Sequence, residues 1–404
     1  MTAPIIEIYR ENDLTKITDG DPDNIGTVQA GSSSSEAELH IWNNKDGTSD
    51  VSTAENVRIT TVTKNFYESG DMVENGSEVV ENQMLQVKSI TNGEEEYTAV
   101  GGPVTHELGD IRGDVLETPE NMSGEAGHAS GGEIKPGTYY AKVSAVDETG
   151  ETLPSNESSG VTINPMIQVT SEDSDSETLT NTGNTKLAWK FTATTSFING
   201  CVVKMGSGGS LEANIRIETD NSGNPSGILA DSNLQIEGVD LLEGEETYIF
   251  FEEEGTVTEE STYWLVIVAE SGSGSLRGTT TGVANNTKYF DGTWNLSSNI
   301  ENITGMILSY NMITWTWDKV TNADTYRVFR TTSSGNYGNE SLVGEYLTDN
   351  KLEDLIDTPI TGKPLTTATV QNGHKHVYKR KLVVPTNATP SSVEFYQELR
   401  YMYI

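Results

Sequence analysis

Tyr139-Tyr140-Ala141-Lys142-Val143-Ser144-Ala145-Val146 sends Tyr139, Ala141, Val143 and Ala145 to one side of an extended chain and Tyr140, Lys142 and Ser144 to the other. That period of two is the pleat of a half-buried strand, not the 3.6-residue stripe of a helix. The same period recurs in Glu36-Ala37-Glu38-Leu39-His40-Ile41-Trp42, in Val57-Arg58-Ile59-Thr60 and in Thr262-Tyr263-Trp264-Leu265-Val266-Ile267-Val268. Asp19-Gly20, Asp46-Gly47, Asn75-Gly76, Asn92-Gly93, Asn199-Gly200, Asp291-Gly292 and Asn372-Gly373 punctuate these runs. Asx-Gly pairs take φ > 0 readily and favour tight hairpin turns. No stretch of twelve or more residues carries a capped helical stripe, so short strands and Gly-rich turns predict an all-β chain of several β-sandwich domains.

The charge narrows the partners. With 25 Lys+Arg against 61 Asp+Glu the net charge is −36. Such a surface keeps a particle soluble and repels phosphate backbones, which argues against nucleic acid as a partner. The balance is uneven. From residue 363 onward six bases (Lys363, Lys375, Lys379, Arg380, Lys381, Arg400) meet two acids (Glu394, Glu398), which leaves that segment near +4 and the remainder near −40. The single cysteine, Cys201, lies in the apolar run Ile198-Asn199-Gly200-Cys201-Val202-Val203, so no intrachain disulfide can form and the thiol is expected to be buried. Met1-Thr2-Ala3-Pro4-Ile5-Ile6-Glu7 has neither the basic region nor the apolar stretch of a signal peptide, and no run approaches a membrane span.

Domain order follows from the strand clusters. Residues 1–113 read as an N-terminal β-sandwich, a particle-anchoring domain in the reading below, and 114–132 as a polar, Gly-rich linker. The stretch Gly137 to Thr152 with Pro154-Ser155 resembles the last two strands of a fibronectin type III-like domain. Ile313-Thr314-Trp315-Thr316-Trp317-Asp318, followed by Tyr326-Arg327-Val328-Phe329-Arg330, resembles the early strands of the same domain. The resemblance implies one Ig/fibronectin-like sandwich, 133–165 plus 307–362, interrupted by an insertion; two incomplete units side by side are the other reading. Residues 166–306 resemble the jelly-roll modules of phage and bacterial surface proteins, which are carbohydrate-binding-module-like. The resemblance rests on Leu187-Ala188-Trp189-Lys190-Phe191, on Asp220-Asn221-Ser222-Gly223-Asn224-Pro225 and on Tyr289-Phe290-Asp291-Gly292-Thr293-Trp294. The expected architecture is therefore a split sandwich holding an inserted jelly roll. Residues 363–404 form a basic C-terminal β segment, a terminal hairpin or strands donated to another subunit.

A search for chemistry returns weak candidates only. No nucleophile elbow, metalloprotease helix, phosphate loop or Cys-x-x-Cys pair is present, so an enzyme is not expected. His374 and His376 sit at i and i+2 on a strand and could face one metal, such as an axial iron in a threefold assembly, although an exposed basic strand is the plainer reading. Asp19, Asp21 and Asp23 alternate as calcium ligands do but lack the later loop positions; Asp220, Ser222 and Asn224 make a similar half-pattern. Tyr289 and Trp294 could stack on sugar rings. No cofactor is expected.

These readings converge on a non-enzymatic structural or adhesive component of a tailed-phage particle (tail, baseplate, collar or head-surface fibre). It would assemble in the host cytoplasm and reside in the virion. Its expected partners are other virion proteins, further copies of itself in a homo-oligomer such as a trimer, and a host cell-surface glycan, without membrane insertion. A secreted bacterial adhesin or carbohydrate-binding protein is the alternative, and the absent export signal weighs against it. A glycan-degrading enzyme lacks a recognisable residue set.

Overall fold

The computed structural model describes the chain except residues 1, 19–20, 46, 48, 64–77, 173–175, 282, 284, 371–372, 389–394 and 404. It is all-β: among the described residues the one helix is the four-residue turn Glu78–Glu81. None is long and apolar enough to cross a membrane. The chain divides into two units, Met1–Glu117 with Val146–Thr152 and Ala368–Ile404, and Thr118–Ala145 with Leu153–Thr367.

The first unit packs two sheets. One orders Ile6–Arg10, Ala37–Asn43, His374–Leu382, Leu85–Ser89 and Thr98–Val100; the other orders Phe395–Met402, Ala54–Thr63 and His106–Ile111. Leu39, Ile41, Val57, Ile59, Leu85, Val87, Leu108, Ile111 and Tyr378 fill the space between them. The basic segment is thus no appendage. His374–Leu382 is a central strand, antiparallel to Ala37–Asn43 on one edge and Leu85–Ser89 on the other. Both edges are occupied, so it has no ladder to offer another subunit. The expected exposed basic strand is also corrected. His374, His376, Tyr378, Arg380 and Leu382 point inward, and Lys375, Val377, Lys379 and Lys381 point outward. A one-residue change of face exchanges every side chain, and here the buried face is written in His, Tyr and Arg.

The second unit contains a sandwich whose strands come from distant parts of the chain. Val161–Ile163, Gly137–Asp147, Thr325–Thr331, Glu340–Leu347 and Ile360–Thr361 form one sheet; Lys351–Asp354, Met312–Thr316 and Ser123–Gly127 form the other. Ser123–Gly127 falls inside the stretch read as linker and is instead an edge strand on Met312–Thr316. Its sequence has no apolar alternation because its partner supplies the bulk: a Cβ at Gly124 would lie 2.3 Å from the Trp315 ring. Trp315, Tyr326, Val328, Phe329, Ala141 and Val143 are buried in this sandwich.

Residues 166–306 form further sheets around Leu187, Trp189, Cys201, Ile215, Ile217, Leu265, Ile267 and Ile307. Their backbone is the long strand Thr262–Thr279. Its first half pairs with Lys186–Thr192 and Ser210–Asp220, its second with Ser176–Thr180. The switch falls at Gly272, whose φ of +78° only glycine adopts freely and whose missing Cβ leaves room for the Ser210 carbonyl. Asn199-Gly200 is not a turn, contrary to its dipeptide signal. It lies within Phe197–Ser207, at a register shift between Ile198 and Gly200. Cys201 is fully buried there, and burial pushes its thiol up to about 12.

Candidate functional site

The candidate histidines separate although they share a strand face. His374 lies 2.7 Å through Nδ1 from Glu148, and its Nε2 is 3.6 Å from Asp114 and 3.9 Å from Asp147. Asp147, Glu148 and His374 each bring a ligating atom within 4.8 Å of the others. A cation already occupies this cluster: the Arg112 guanidinium reaches Glu148 at 3.3 Å, Asp114 at 3.8 Å and Asp147 at 4.0 Å. The second oxygen of Asp147 accepts from the Thr149 N–H (2.7 Å) and the Gly150 N–H (3.2 Å), which closes the hairpin tip. Three carboxylates thus face a guanidinium and an imidazole, at most two positive charges against three negative ones, in an ion network whose permanent cation is Arg112.

His376 has other company. Its Nε2 is 2.7 Å from the Ser89 Oγ, which also accepts the Asn92 N–H at 2.8 Å. Nearby, His106 lies 2.9 Å from Glu94. A serine hydroxyl on an imidazole is the first half of a nucleophilic pair. Ser89 is fully buried and His376 nearly so, which denies a substrate the approach such chemistry needs. The expectation that His374 and His376 converge on one metal is therefore corrected: the two rings serve different partner sets inside the first unit.

The two histidines respond to pH in opposite directions. Burial pushes His376 down to about 4, with the nearby His106 adding to the effect against Glu94. An unfolded chain takes up a proton near pH 6.5 that the folded one refuses until about pH 4, so stability falls on acidification across that window. A shift of this size corresponds to about 3 kcal/mol. For His374, burial opposes the charged form, but Asp114 and Glu148 outweigh burial and Arg112, and its pKa is raised. Its contribution is complete below about pH 6.5 and disappears as pH rises through the raised value. Denaturant unfolding of the first unit between pH 4 and 9 is expected to show His376→Gln flattening the acid limb, and His374→Gln flattening the limb above neutrality. Unchanged limbs in both variants would exclude this assignment.

The calcium candidates also meet cations of the chain itself. Asp21 receives Arg10 at 3.1 Å, and Asp23 receives the buried Arg380, with Arg10 at 3.8 Å. Asp19 lies outside the described residues. In the Asp220–Asn224 half-pattern the cation is Lys288, whose Nζ donates to the Gly223 carbonyl and to Asn224 Oδ1, both at 2.6 Å.

Tyr289 and Trp294 point to opposite faces of one sheet. Tyr289 leans on the main core, whereas Trp294 leans on Ala188, Trp264 and Val266 on the outer side. The true ring partner of Trp294 is Phe290, at 5.2 Å and 60°. Strand register completes this outer face. Phe290 opposes Trp294 and Lys186, Lys288 opposes Leu296 and Ala188, and Lys190 opposes Trp264. Trp264 is fully covered, and its indole N–H donates to Asp220 at 2.7 Å. Lys190 and Lys288 stand over its ring at 5.9 and 5.7 Å, and Lys186 stands over Phe290 at 5.2 Å. Desolvation and the neighbouring Lys190 lower the pKa of Lys288. Among the described residues neither Lys186 nor Lys190 has a carboxylate within 4.0 Å. Phe290 and the lysines escaped the sequence reading, although Lys186-Leu187-Ala188-Trp189-Lys190 does place both lysines opposite the core residues Leu187 and Trp189.

No protein-family model matches the chain, and no curated protein matches it. Among solved structures, three from infectious bursal disease virus align weakly. The Gt strain shares 10% identity at a TM-score of 0.13, with 96% of this chain and 66% of the other covered, so the chain spans just under two thirds of its length. The T=1 particles share 10% identity at a TM-score of 0.12 over 95% and 78% of the two chains. The VP2 subviral particle shares 9% at 0.11 over 95% and 80%.

Proposed function

We propose that this chain is a non-enzymatic structural and adhesive component of a tailed-phage particle, whose β-sandwich modules serve assembly and host-surface contact. The observation that carries the reading is the root of the 166–306 segment. Ile167–Val169 pairs antiparallel with Gly305–Leu308, with Ile167 opposite Ile307, so the segment leaves and rejoins the chain side by side. A segment whose two ends meet in one ladder can project as a unit, and this one also rests on the split sandwich where His128 meets Glu254 and the Phe197 ring. The buried ionisable groups support a mechanical role as well, because His374, Arg380 and Arg330 are each spent on carboxylates of the same chain.

In this reading the first unit anchors to neighbouring virion proteins, and 166–306 meets the host. Replacing 166–306 by a short Gly/Ser link is expected to leave particle assembly intact and to reduce host adsorption to the level of particles lacking the protein. Electron microscopy counts assembly and an adsorption assay counts contact. Failure of assembly with adsorption machinery otherwise present would contradict the division of labour.

A further inference from the structure

We infer that the outer face built by Lys186–Thr192, the first half of Thr262–Thr279, Thr287–Phe290 and Trp294–Leu296 binds a linear saccharide chain bearing carboxylates. Lys186 and Lys190 provide its charge contacts, and Phe290 and Trp294 provide its stacking surface. The inference rests on the host-contact reading and names the ligand class for it.

Three features of the face point to this ligand. The first is charge placement. In a chain of net charge −36, Lys186, Lys190 and Lys288 share one face, the first two without a carboxylate among the described residues. Lys190 and Lys288 stand over the same indole, two like charges against the single carboxylate of Asp220 on the indole N–H, which leaves a place for a further anion. The second is spacing. Lys186 and Lys190 are four residues apart on one strand, roughly 13 Å, with Lys288 one strand across and between them in register. Charges laid out along a line suit a repeating anion better than a single compact one. The third is the apolar part: the half-buried Phe290 and Trp294 rings, with Leu296 49% exposed beside Lys288. The C–H face of a sugar ring stacks on such rings while its hydroxyls stay in water.

The position within the sheet selects against an acidic peptide. An extended peptide gains its affinity by adding main-chain hydrogen bonds to an open edge. The three lysines lie on strands already paired on both sides, Lys186–Thr192 and Thr287–Phe290, and Trp294–Leu296, which ends the sheet, is three residues long and offers too short a ladder for a peptide. A saccharide needs no strand edge. Lys288 is held by Gly223 and Asn224, so its cation is fixed before any ligand arrives, which lowers the ordering cost of binding.

The test uses the full chain at low ionic strength, with polygalacturonate, neutral dextran and polyglutamate as probes and titration calorimetry as readout. Polygalacturonate is expected to bind and to weaken with added salt; dextran and polyglutamate are expected to bind far less. Lys186→Glu with Lys190→Glu is expected to weaken polygalacturonate roughly tenfold or more and to reduce the salt dependence. Trp294→Ala is expected to weaken it while leaving the salt dependence in place. Should Trp294→Ala unfold, the double lysine variant still decides, since both substitutions keep a charged group at half-buried outer positions. Polyglutamate or dextran binding as tightly as polygalacturonate, no polygalacturonate binding, or a double variant that binds unchanged would each overturn the inference. Particle adsorption is scored separately. Adsorption that survives the double variant defeats this ligand assignment alone, whereas adsorption that survives removal of 166–306 defeats the host-contact reading itself.

Discussion

Removing residues 363–404 is expected to unfold the first unit, although fewer than fifty residues at the C-terminus are lost. His374–Leu382 supplies the middle strand of its larger sheet, with ladders on both edges, and Phe395–Met402 supplies the strand beside Ala54–Thr63. The truncation leaves Ala37–Asn43 and Leu85–Ser89 without their shared neighbour. It also strips Tyr378 from the core, together with its hydrogen bond across the sandwich to Gln397 at 2.7 Å. Arg380 and Lys375 leave as well, so Asp23 is left with Arg10 and Asp13 loses its lysine. Domains are stable by only about 5–15 kcal/mol. Losing a central strand and part of the core exceeds that margin. Amide exchange should show Leu39, Ile41, Leu85 and Val87 unprotected in the truncated chain, while Ile215 and Ile267 of the second unit stay protected. Retained protection at the first four positions would refute the central role assigned to the strand.

Asp354→Ala is expected to cost the split sandwich about 3–5 kcal/mol, the loss typical of a buried ion pair broken on one side. Arg330 and Asp354 are 2.9 Å apart with side chains 1% and 0% exposed. The same Asp354 oxygen accepts the Trp315 indole N–H at 3.1 Å, and Arg330 donates onward to the Asp357 carbonyl at 2.6 Å. Burial raises the Asp354 pKa even against the pull of Arg330 and Trp315, a sign of how costly its charge is to keep there. Removing the carboxylate strands a guanidinium over Tyr139, at 5.1 Å from the ring, with one charge uncompensated. Arg330→Met with Asp354→Leu removes both charges and is expected to recover most of the loss, because well-packed apolar residues replace such pairs at little net cost. Urea unfolding of the wild type, the single variant and the double variant measures this. A single variant within 1 kcal/mol of wild type would show that the pair is not coupled as its geometry demands.

The sequence by itself determined the all-β class, because alternation at period two is local: it needs only the chain's own pleat and its Gly-rich turns. It also carried the burial of Cys201, which lies in the apolar run Ile198 to Val203. What it left open depends on partners far along the chain. Whether His374–Leu382 is exposed or central cannot be read from nine residues whose buried face is His, His, Tyr, Arg, Leu, since burying those groups requires Glu148, Asp114, Ser89 and Asp23 to arrive from elsewhere. Ser123–Gly127 pairs as a strand with Trp315 filling the space at Gly124 and Met312 the space at Gly127. Tyr289 and Trp294, alike as aromatics, were sent to opposite faces by strand register. Local pattern sets which residues can be strands; long-range pairing decides which face of each strand meets water, and with it every candidate for contact.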